Sequence, residues 1–335
     1  VDHDKLNQLL ATNQSVPVAQ VSVLKSSSNL FSSHTVLIDT EAAAKIKELV
    51  DSVEQVLKDP KFNDLARSKA VPLGSPIEIG AGSLIGYDFH VSEEGVKLIE
   101  INTNPGGAML NLALSRAQVA CYDEVHDLMP DKAKIDLFES NLLATFTKEW
   151  EFFEPQRPLK VVALVDESPH DQFLYPEFLL FQQLFIRNGL TCIIVDPREL
   201  MIKDSGLWVK DLQIDLVYNR LTDFYFDLDS SSVLRKAYEE KMALVTPNPA
   251  SYALYSDKRN LALLSDRSFL ESLDLSDSVL DVLERGIPNT EIVNSSDSAR
   301  LWAHRNGLYF KPVNGFGARA VYRGDKMLVT TYLEG

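Results

Sequence analysis

The chain is poor in cysteine, poor in positive charge and without a long apolar run, and each shortage closes off a class of protein. Only two cysteines, Cys121 and Cys192, occur in 335 residues. Both sit among apolar neighbours and neither belongs to a Cys-x-x-Cys pair, which suits a reducing compartment with both as small buried side chains. Asp and Glu number 48 against 33 Lys and Arg, a formal net charge of −15. That field repels phosphate backbones and anionic lipid, so neither nucleic acid nor a membrane surface is expected as a primary partner. An anionic substrate needs local cations or a metal to overcome it. No run reaches the roughly eighteen apolar residues of a membrane span. The opening VDHDKLNQLL lacks the basic and apolar regions of a secretory signal, and the expected location is cytoplasmic. No repeat at solenoid period and no low-complexity run beyond SSS is found. The chain begins at Val1 rather than Met and stops at MLVTTYLEG directly after a strand-like run. Both ends are expected to be cut, with residues missing beyond Gly335.

What is present is ordinary globular composition, 45% hydrophobic and 24% charged, in a chain long enough for two or three domains. Three stretches divide it. In residues 1–155, TEAAAKIKELVDSVEQVLKD predicts a helix capped at Thr40, with Ile46, Val50, Val53 and Val56 or Leu57 at helical spacing. SPIEIGAGSLIGYDFHVS and GVKLIEINT predict strands about a turn at Glu93, Glu94 and Gly95. Helices are expected at AMLNLALSRAQVA and KIDLFESNLLATFTKEWEFF. In residues 156–250, continuous apolar strands (KVVALVDES, LTCIIVD, DLQIDLVYNR, LVTPNP) alternate with helices. One helix, YPEFLLFQQLFIRNG, has Pro176 in its first turn and Gly189 as its stop. This alternation predicts an open, mostly parallel α/β sheet. Residues 251–335 read as helical through DKRNLALLSD and DSVLDVLERG, then strand-rich.

Three side chains stand where strand-forming sequence does not need them. Asp88 lies twelve positions before Glu100, and Asn102 follows Glu100 by two. Alternation along a strand puts Glu100 and Asn102 on one face and Ile99 and Ile101 on the other, and a hairpin lets Asp88 reach the first face. An all-oxygen set of Asp, Glu and Asn suits Mg²⁺ or Mn²⁺ rather than zinc. Without a cation two close carboxylates repel, and one tends to take up a proton; solvated acids at strand ends are the plain alternative. Farther on, FKPVNGFGARAV places Lys311 on a strand before a turn whose Gly315 and Gly317 leave backbone N–H groups open to phosphate. In YSDKRN, Lys258 begins a helix, where a cation is not favoured by the dipole and a phosphate is one explanation. A hairpin turn and a solvated lysine account for the same residues in ordinary proteins. LVYNR ends a strand with Arg220 at the carboxyl edge of the α/β sheet, where ligands bind. There Arg220 is expected either to hold a substrate carboxylate or to form a surface salt bridge. NPGG after Asn102 offers turn N–H groups, and DESPHDQFLYPEF is a plausible substrate loop that lacks the Gly-x-Gly-x-x-Gly of dinucleotide binding.

Together these parts resemble the ATP-grasp superfamily of carboxylate–amine ligases. YDFHVSEEGVKLIEINTNPGG is similar to its metal-binding hairpin, SDKRN to its first phosphate-contacting lysine, and FKPVNGFGARAV to the lysine strand and glycine-rich loop of its mobile lid. The hairpin precedes the lysines, as in circularly permuted members such as the glutathionylspermidine synthase-like proteins. The resemblance implies a Rossmann-like pre-ATP-grasp domain at 156–250, with the metal-binding half of the grasp before it and the lid after it. It implies a closing segment after the lid, expected beyond Gly335. It also implies ATP and Mg²⁺ (or Mn²⁺) as cofactors, with Asp88, Glu100 and Asn102 on the metal. Lys258, Lys311, Gly315 and Gly317 fall on the phosphates, and small carboxylate and amine molecules are the substrates. The reaction implied passes through an acyl phosphate that an amine attacks. The rival expectation is a nucleotide-binding protein without ligase activity.

Overall fold

The computed structural model describes residues 30–31, 36–68, 82–119, 131–313 and 321–327. The first elements are α1 (Thr40–Lys58), α2 (Pro60–Ser68), β1 (Gly86–Ser92), β2 (Gly95–Asn102), α3 (Ala108–Val119) and α4 (Lys132–Phe153). Then come β3 (Val161–Val165), α5 (Tyr175–Arg187), β4 (Thr191–Val195), β5 (Met201–Lys203), β6 (Gly206–Val209), β7 (Leu212–Ile214), β8 (Leu216–Asn219), α6 (Ser232–Glu239) and β9 (Leu244–Thr246). The remainder holds α7 (Arg259–Leu264), α8 (Arg267–Glu271), α9 (Asp277–Gly286), α10 (Ser298–His304), β10 (Tyr309–Phe310) and β11 (Tyr322–Arg323). Two units are formed from interleaved segments. One takes Val1–Ile38, Val71–Gly86 and Asn102–Tyr252; the other takes Asp39–Ala70, Tyr87–Ile101 and Ala253–Gly335. The boundary expected at 250–251 falls beside the Tyr252–Ala253 division, while the joint expected at 155–156 lies inside the first unit.

The first unit is an α/β sheet of four parallel strands in the order β4-β3-β8-β9. Its strands are continuous apolar runs because both faces are covered. Val162, Leu164, Leu216, Tyr218 and Leu244 face a core built from α3, α4 and α5, including Phe146, Trp150, Phe178, Phe181 and Phe185. Ala163, Val165, Val217 and Val245 face the opposite way, into a second core with Leu207, Leu234 and Tyr238. Helix α5 runs between the expected signals: Pro176 sits in its first turn, and Gly189 beyond its end adopts φ 83°.

DLQIDLVYNR is not one strand, as expected, but two. β7 belongs to a separate antiparallel meander, β5-β6-β7, and β8 to the parallel sheet. The break is at Asp215, whose buried carboxylate accepts the N–H groups of Lys160 (3.0 Å) and Val161 (2.9 Å) and pairs with Arg157. A carboxylate committed to three donors pins the chain at the start of β8, beside β3, and ends the strand before it.

The second unit carries the hairpin. β1 and β2 pair across a turn at Glu93 and Glu94, with Gly95 at φ 111°, so strands joined this tightly run antiparallel. Helix α1 is capped by Asp39 rather than Thr40: the Asp39 carboxylate accepts from Ala42 N at 2.7 Å, and Thr40 is already the first helical residue. Its buried face is Leu49, Val53, Val56 and Leu57, while Ile46 and Val50 are only half-buried. Leu49 packs on Gly286 of α9 so closely that a Cβ there would lie 2.4 Å from a Leu49 methyl. The Tyr87 hydroxyl donates to Glu54 of α1, and Lys97 Nζ donates to Arg285 O at the end of α9. These contacts fix the hairpin against two helices. After α10, β10 and β11 pair antiparallel, Tyr309 opposite Arg323 and Phe310 opposite Tyr322. Among the described residues no helix is long and apolar enough to cross a membrane.

Candidate functional site

Four of the residues singled out in the sequence meet in the second unit. Lys258, immediately before α7, places Nζ 3.1 Å from Glu100 Oε1 of β2. Lys311 Nζ donates to the Ile99 carbonyl at 2.9 Å, one residue from Glu100 on the same strand. Burial of its ammonium pushes Lys311 below the ordinary lysine range, and the Lys258 charge adds to this, while Glu100 and Asp88 act in the opposite direction. The side chains expected from three distant segments therefore lie within one electrostatic neighbourhood. Lys311 follows β10 rather than lying on it, because only Tyr309 and Phe310 make the strand. Gly315 and Gly317 lie outside the described residues.

Burial along β2 does not follow one face. Val96 and Leu98 share Glu100's parity and are buried, while on the opposite parity Ile99 is 37% exposed and Ile101 is buried. Glu100 lies between exposed Ile99 and buried Ile101, at 28% side-chain exposure. Asp88 and His90 are exposed on β1. Asn102 is the last residue of β2, half-buried, at the start of the first unit's longest segment.

The donor set can be weighed against a metal directly. Among the described residues no group of three or more His, Cys, Asp or Glu side chains is placed to hold an ion. Asp88 and Glu100 supply two carboxylates, and one of them already faces an ammonium. Mg²⁺ characteristically takes one or two carboxylates and completes its octahedron with phosphate oxygens and water. The residues fit a cation carried on a polyphosphate and fit poorly a cation caged by protein alone.

A second constellation stands in the first unit. The chain runs from β3 outward to β4, then returns to β8 and β9 on the other side, so the strand order reverses between β3 and β8. Ligands of open α/β sheets bind in the crevice outside the carboxyl ends of such a pair. Asp166 follows β3 and Arg220 follows β8, and both are buried, at 8% and 7% exposure. Arg220 is not in a surface salt bridge. Its Nη1 donates to Asn104 Oδ1, to Pro105 O at 3.1 Å and to the Tyr218 hydroxyl at 3.2 Å, so it braces the turn after the hairpin. Burial raises the Tyr218 phenol above the usual range, which keeps it a neutral acceptor for that guanidinium.

Helix α5 holds the same turn from its other side. Glu177, 1% exposed, accepts Gly107 N at 2.8 Å and Met109 N at 3.0 Å, capping α3 from a different helix. The N–H of Gly107, one of the NPGG turn groups, is therefore already engaged. Glu177 and Asp166 were not among the expected site residues. Glu177 reads as a solvated acid in the first turn of a helix. Asp166 sits in the DESPHDQ loop, and only burial marks it out.

Burial pushes the Asp166 carboxyl up to about 7, with Glu167 and Asp196 adding to it; the Glu167 N–H and Arg220 act against. The ordinary value is 3.8, so between that pH and about 7 the folded chain holds a proton the unfolded chain has lost. Its stabilisation is full below the lower value and disappears as pH rises through the upper one. Asp166→Asn is expected to remove this slope. Urea midpoints at about pH 5 and about pH 8 should converge in the variant and differ in the parent; equal pH slopes in both chains would overturn the assignment. Cys192 is a free, buried cysteine whose thiol burial pushes up to about 12, which makes it chemically inert. Cys121 lies outside the described residues.

No family model matches this sequence, and no curated protein matches it. Solved structures do. One is a glutathione synthetase-like effector from Globodera pallida in its apo form, 16% identical, with a TM-score of 0.50. The likeness covers 74% of this chain and 61% of that one, so the chain spans less than two thirds of that protein's length. At such identity the comparison speaks to architecture alone: the chain has an α/β fold similar to that structure's.

Proposed function

We propose that this protein is an ATP-dependent ligase of ATP-grasp type, from a circularly permuted branch, which joins a small carboxylate to an amine. The observation that carries the reading is the meeting of Asp88, Glu100, Lys258 and Lys311 in one unit, from segments widely separated in sequence. The chain order, hairpin before lysines, supports the permutation. Lys258 and Lys311 are assigned to phosphate oxygens, where their charge offsets that of the polyphosphate and of the transition state. Asp88 and Glu100, with Asn102 two positions along the strand, are assigned to Mg²⁺ or Mn²⁺, which when bound neutralises phosphate charge. Gly315 and Gly317 are assigned, from sequence alone, to the backbone that closes over the phosphates. Arg220 is assigned to the substrate carboxylate. Its planar fork suits that group, and Tyr218 and the Asn104–Pro105 turn fix its position before a ligand arrives. Asp166, beside it, suits the ammonium of an amino acid or peptide. The permuted branch, the substrates and a cytoplasmic location belong to this proposal.

The test is ADP release by the chain with ATP and Mg²⁺ across a panel of amino acids and short peptides, with and without amine acceptors. A ligase releases ADP only when the right carboxylate is present and ceases to do so when Mg²⁺ is chelated. Release that ignores every carboxylate would mark a plain ATPase, and nucleotide binding without release a nucleotide-binding protein of another role.

A further inference from the structure

We infer that Glu177 is a positioning residue for Arg220: it grips the turn over residues 104–109 and so aims the guanidinium edge that meets a ligand's carboxylate. This rests on the reading of Arg220 as the carboxylate site. Arg220 spends Nη1 on the protein, donating to Asn104 Oδ1, to Pro105 O at 3.1 Å and to the Tyr218 hydroxyl at 3.2 Å. Among the described residues no acceptor reaches Nε or Nη2, the two donors that form a fork for a carboxylate. Two of the three acceptors that orient this fork belong to one turn. The fork is therefore only as well placed as the turn is.

Glu177 holds the other end of that turn. Its buried carboxylate accepts Gly107 N through one oxygen at 2.8 Å and Met109 N through the other at 3.0 Å. Gly107 adopts φ 96°, a backbone that side chains rarely permit, and its carbonyl accepts Asn111 N at 2.7 Å as α3 begins. Between the two anchors Gly106 packs on Leu174: a Cβ there would lie 2.4 Å from a Leu174 methyl and 3.6 Å from Arg220 Nη2. The helix that carries Glu177 also sets Phe178 beside the guanidinium, whose Cζ lies 5.9 Å from the ring centroid. Glu177 and Arg220 both reach Tyr218: beyond the burial that raises its phenol, Arg220 lowers it and Glu177 raises it. Only a carboxylate answers two converging N–H groups with two acceptors. A glutamine there has one acceptor oxygen and turns its NH₂ toward an N–H, donor against donor. The turn must then shift, carrying Asn104 and Pro105 O with it.

The test is arginine side-chain ¹⁵N NMR of the full chain with acetate as the probe and chloride at equal ionic strength as the blank. The Arg220 Nε–H signal is assigned by its loss in Arg220→Lys. In the parent, acetate and not chloride is expected to shift that signal. In Glu177→Gln the acetate concentration giving half the shift should rise about tenfold, the loss of roughly one hydrogen bond to a charged group. Glu177→Asp keeps both oxygens one carbon farther back and should fall between the two; it carries the comparison should the glutamine chain not fold. Leu184→Ala, farther along the same helix in the same core, lowers stability and should leave the acetate response at the parent's value. Equal half-shift concentrations in the parent and Glu177→Gln, or equal losses in Glu177→Gln and Leu184→Ala, would overturn the inference and leave Arg220 as the carboxylate site. A parent signal that ignores acetate would remove the reading of Arg220, and the inference with it.

Discussion

Glu100→Gln is expected to lower carboxylate-dependent ADP release by roughly a hundredfold to a thousandfold while the chain remains folded. The substitution preserves volume and leaves an oxygen to accept from Lys258, 3.1 Å away in the parent. What it removes is a unit of negative charge from a half-buried position shared with two ammonium groups. A single preorganised charged group at a developing phosphoryl charge accounts for losses of about that size. Stability also falls, by about 1–2 kcal/mol, because a charged hydrogen bond between Lys258 and residue 100 is replaced by a neutral acceptor. Activity is therefore compared well below the melting temperature. Glu94→Gln, on the exposed turn of the same hairpin, removes the same charge without touching the cluster and should leave turnover unchanged. Loss of less than about threefold in Glu100→Gln, or equal loss in both variants, would remove the cluster from the chemistry.

Much of this architecture is legible in the residues, and the parts that are not share a cause. The buried strands announce themselves as apolar runs because both faces of the sheet are covered, and α5 is bounded by a proline and a glycine with fixed backbone meanings. The hairpin is bounded the same way by Glu93, Glu94 and Gly95. The meander β5-β6-β7 is not legible. Its strands are three or four residues long, and its turns place Asp204, Ser205 and Lys210, none of them glycine, at positive φ. On α1 periodicity gives the stripe, but the neighbour decides which edge of the stripe is buried. Leu49 is buried because Gly286 of α9 makes room for it. At the site, the sequence supplies the acids and lysines but not their pairing, since nothing local to Glu100 or Lys258 specifies the other. Arg220 is legible as a sheet-edge cation; its commitment to Asn104, Pro105 and Tyr218 is not. Glu177 escapes altogether, because its partners are backbone groups of another helix. The interleaved units follow from the same tertiary pairings and leave no mark in composition.

Phe146→Ala is expected to be the most destabilising single truncation in the first unit, by about 3–5 kcal/mol. Phe146 is fully buried on α4, and its ring meets three others edge-on: Tyr218 at 4.9 Å, Phe185 at 5.2 Å and Phe181 at 6.2 Å between centroids. Truncation loses the transfer energy of the ring, the edge-to-face contacts and the filling of a space that strands on one side and helices on the other cannot collapse into. Trp150, one turn on along α4 in the same core, gives a fluorescence signal for the unfolding of this unit, which matters because a chain of two units does not guarantee one transition. The denaturant midpoint of that signal should fall accordingly, and Phe146→Leu should recover more than half of the loss. The cavity also reaches the site. Tyr218 carries the hydroxyl that accepts from Arg220, so a loosened Tyr218 ring frees the guanidinium that the Asn104–Pro105 turn leans on. In the proposed reaction the carboxylate KM should then rise in Phe146→Ala, at temperatures where the variant is folded, with the nucleotide KM unmoved. A variant within about 1 kcal/mol of the parent would mean that this core repacks freely and that the position of Arg220 is set elsewhere.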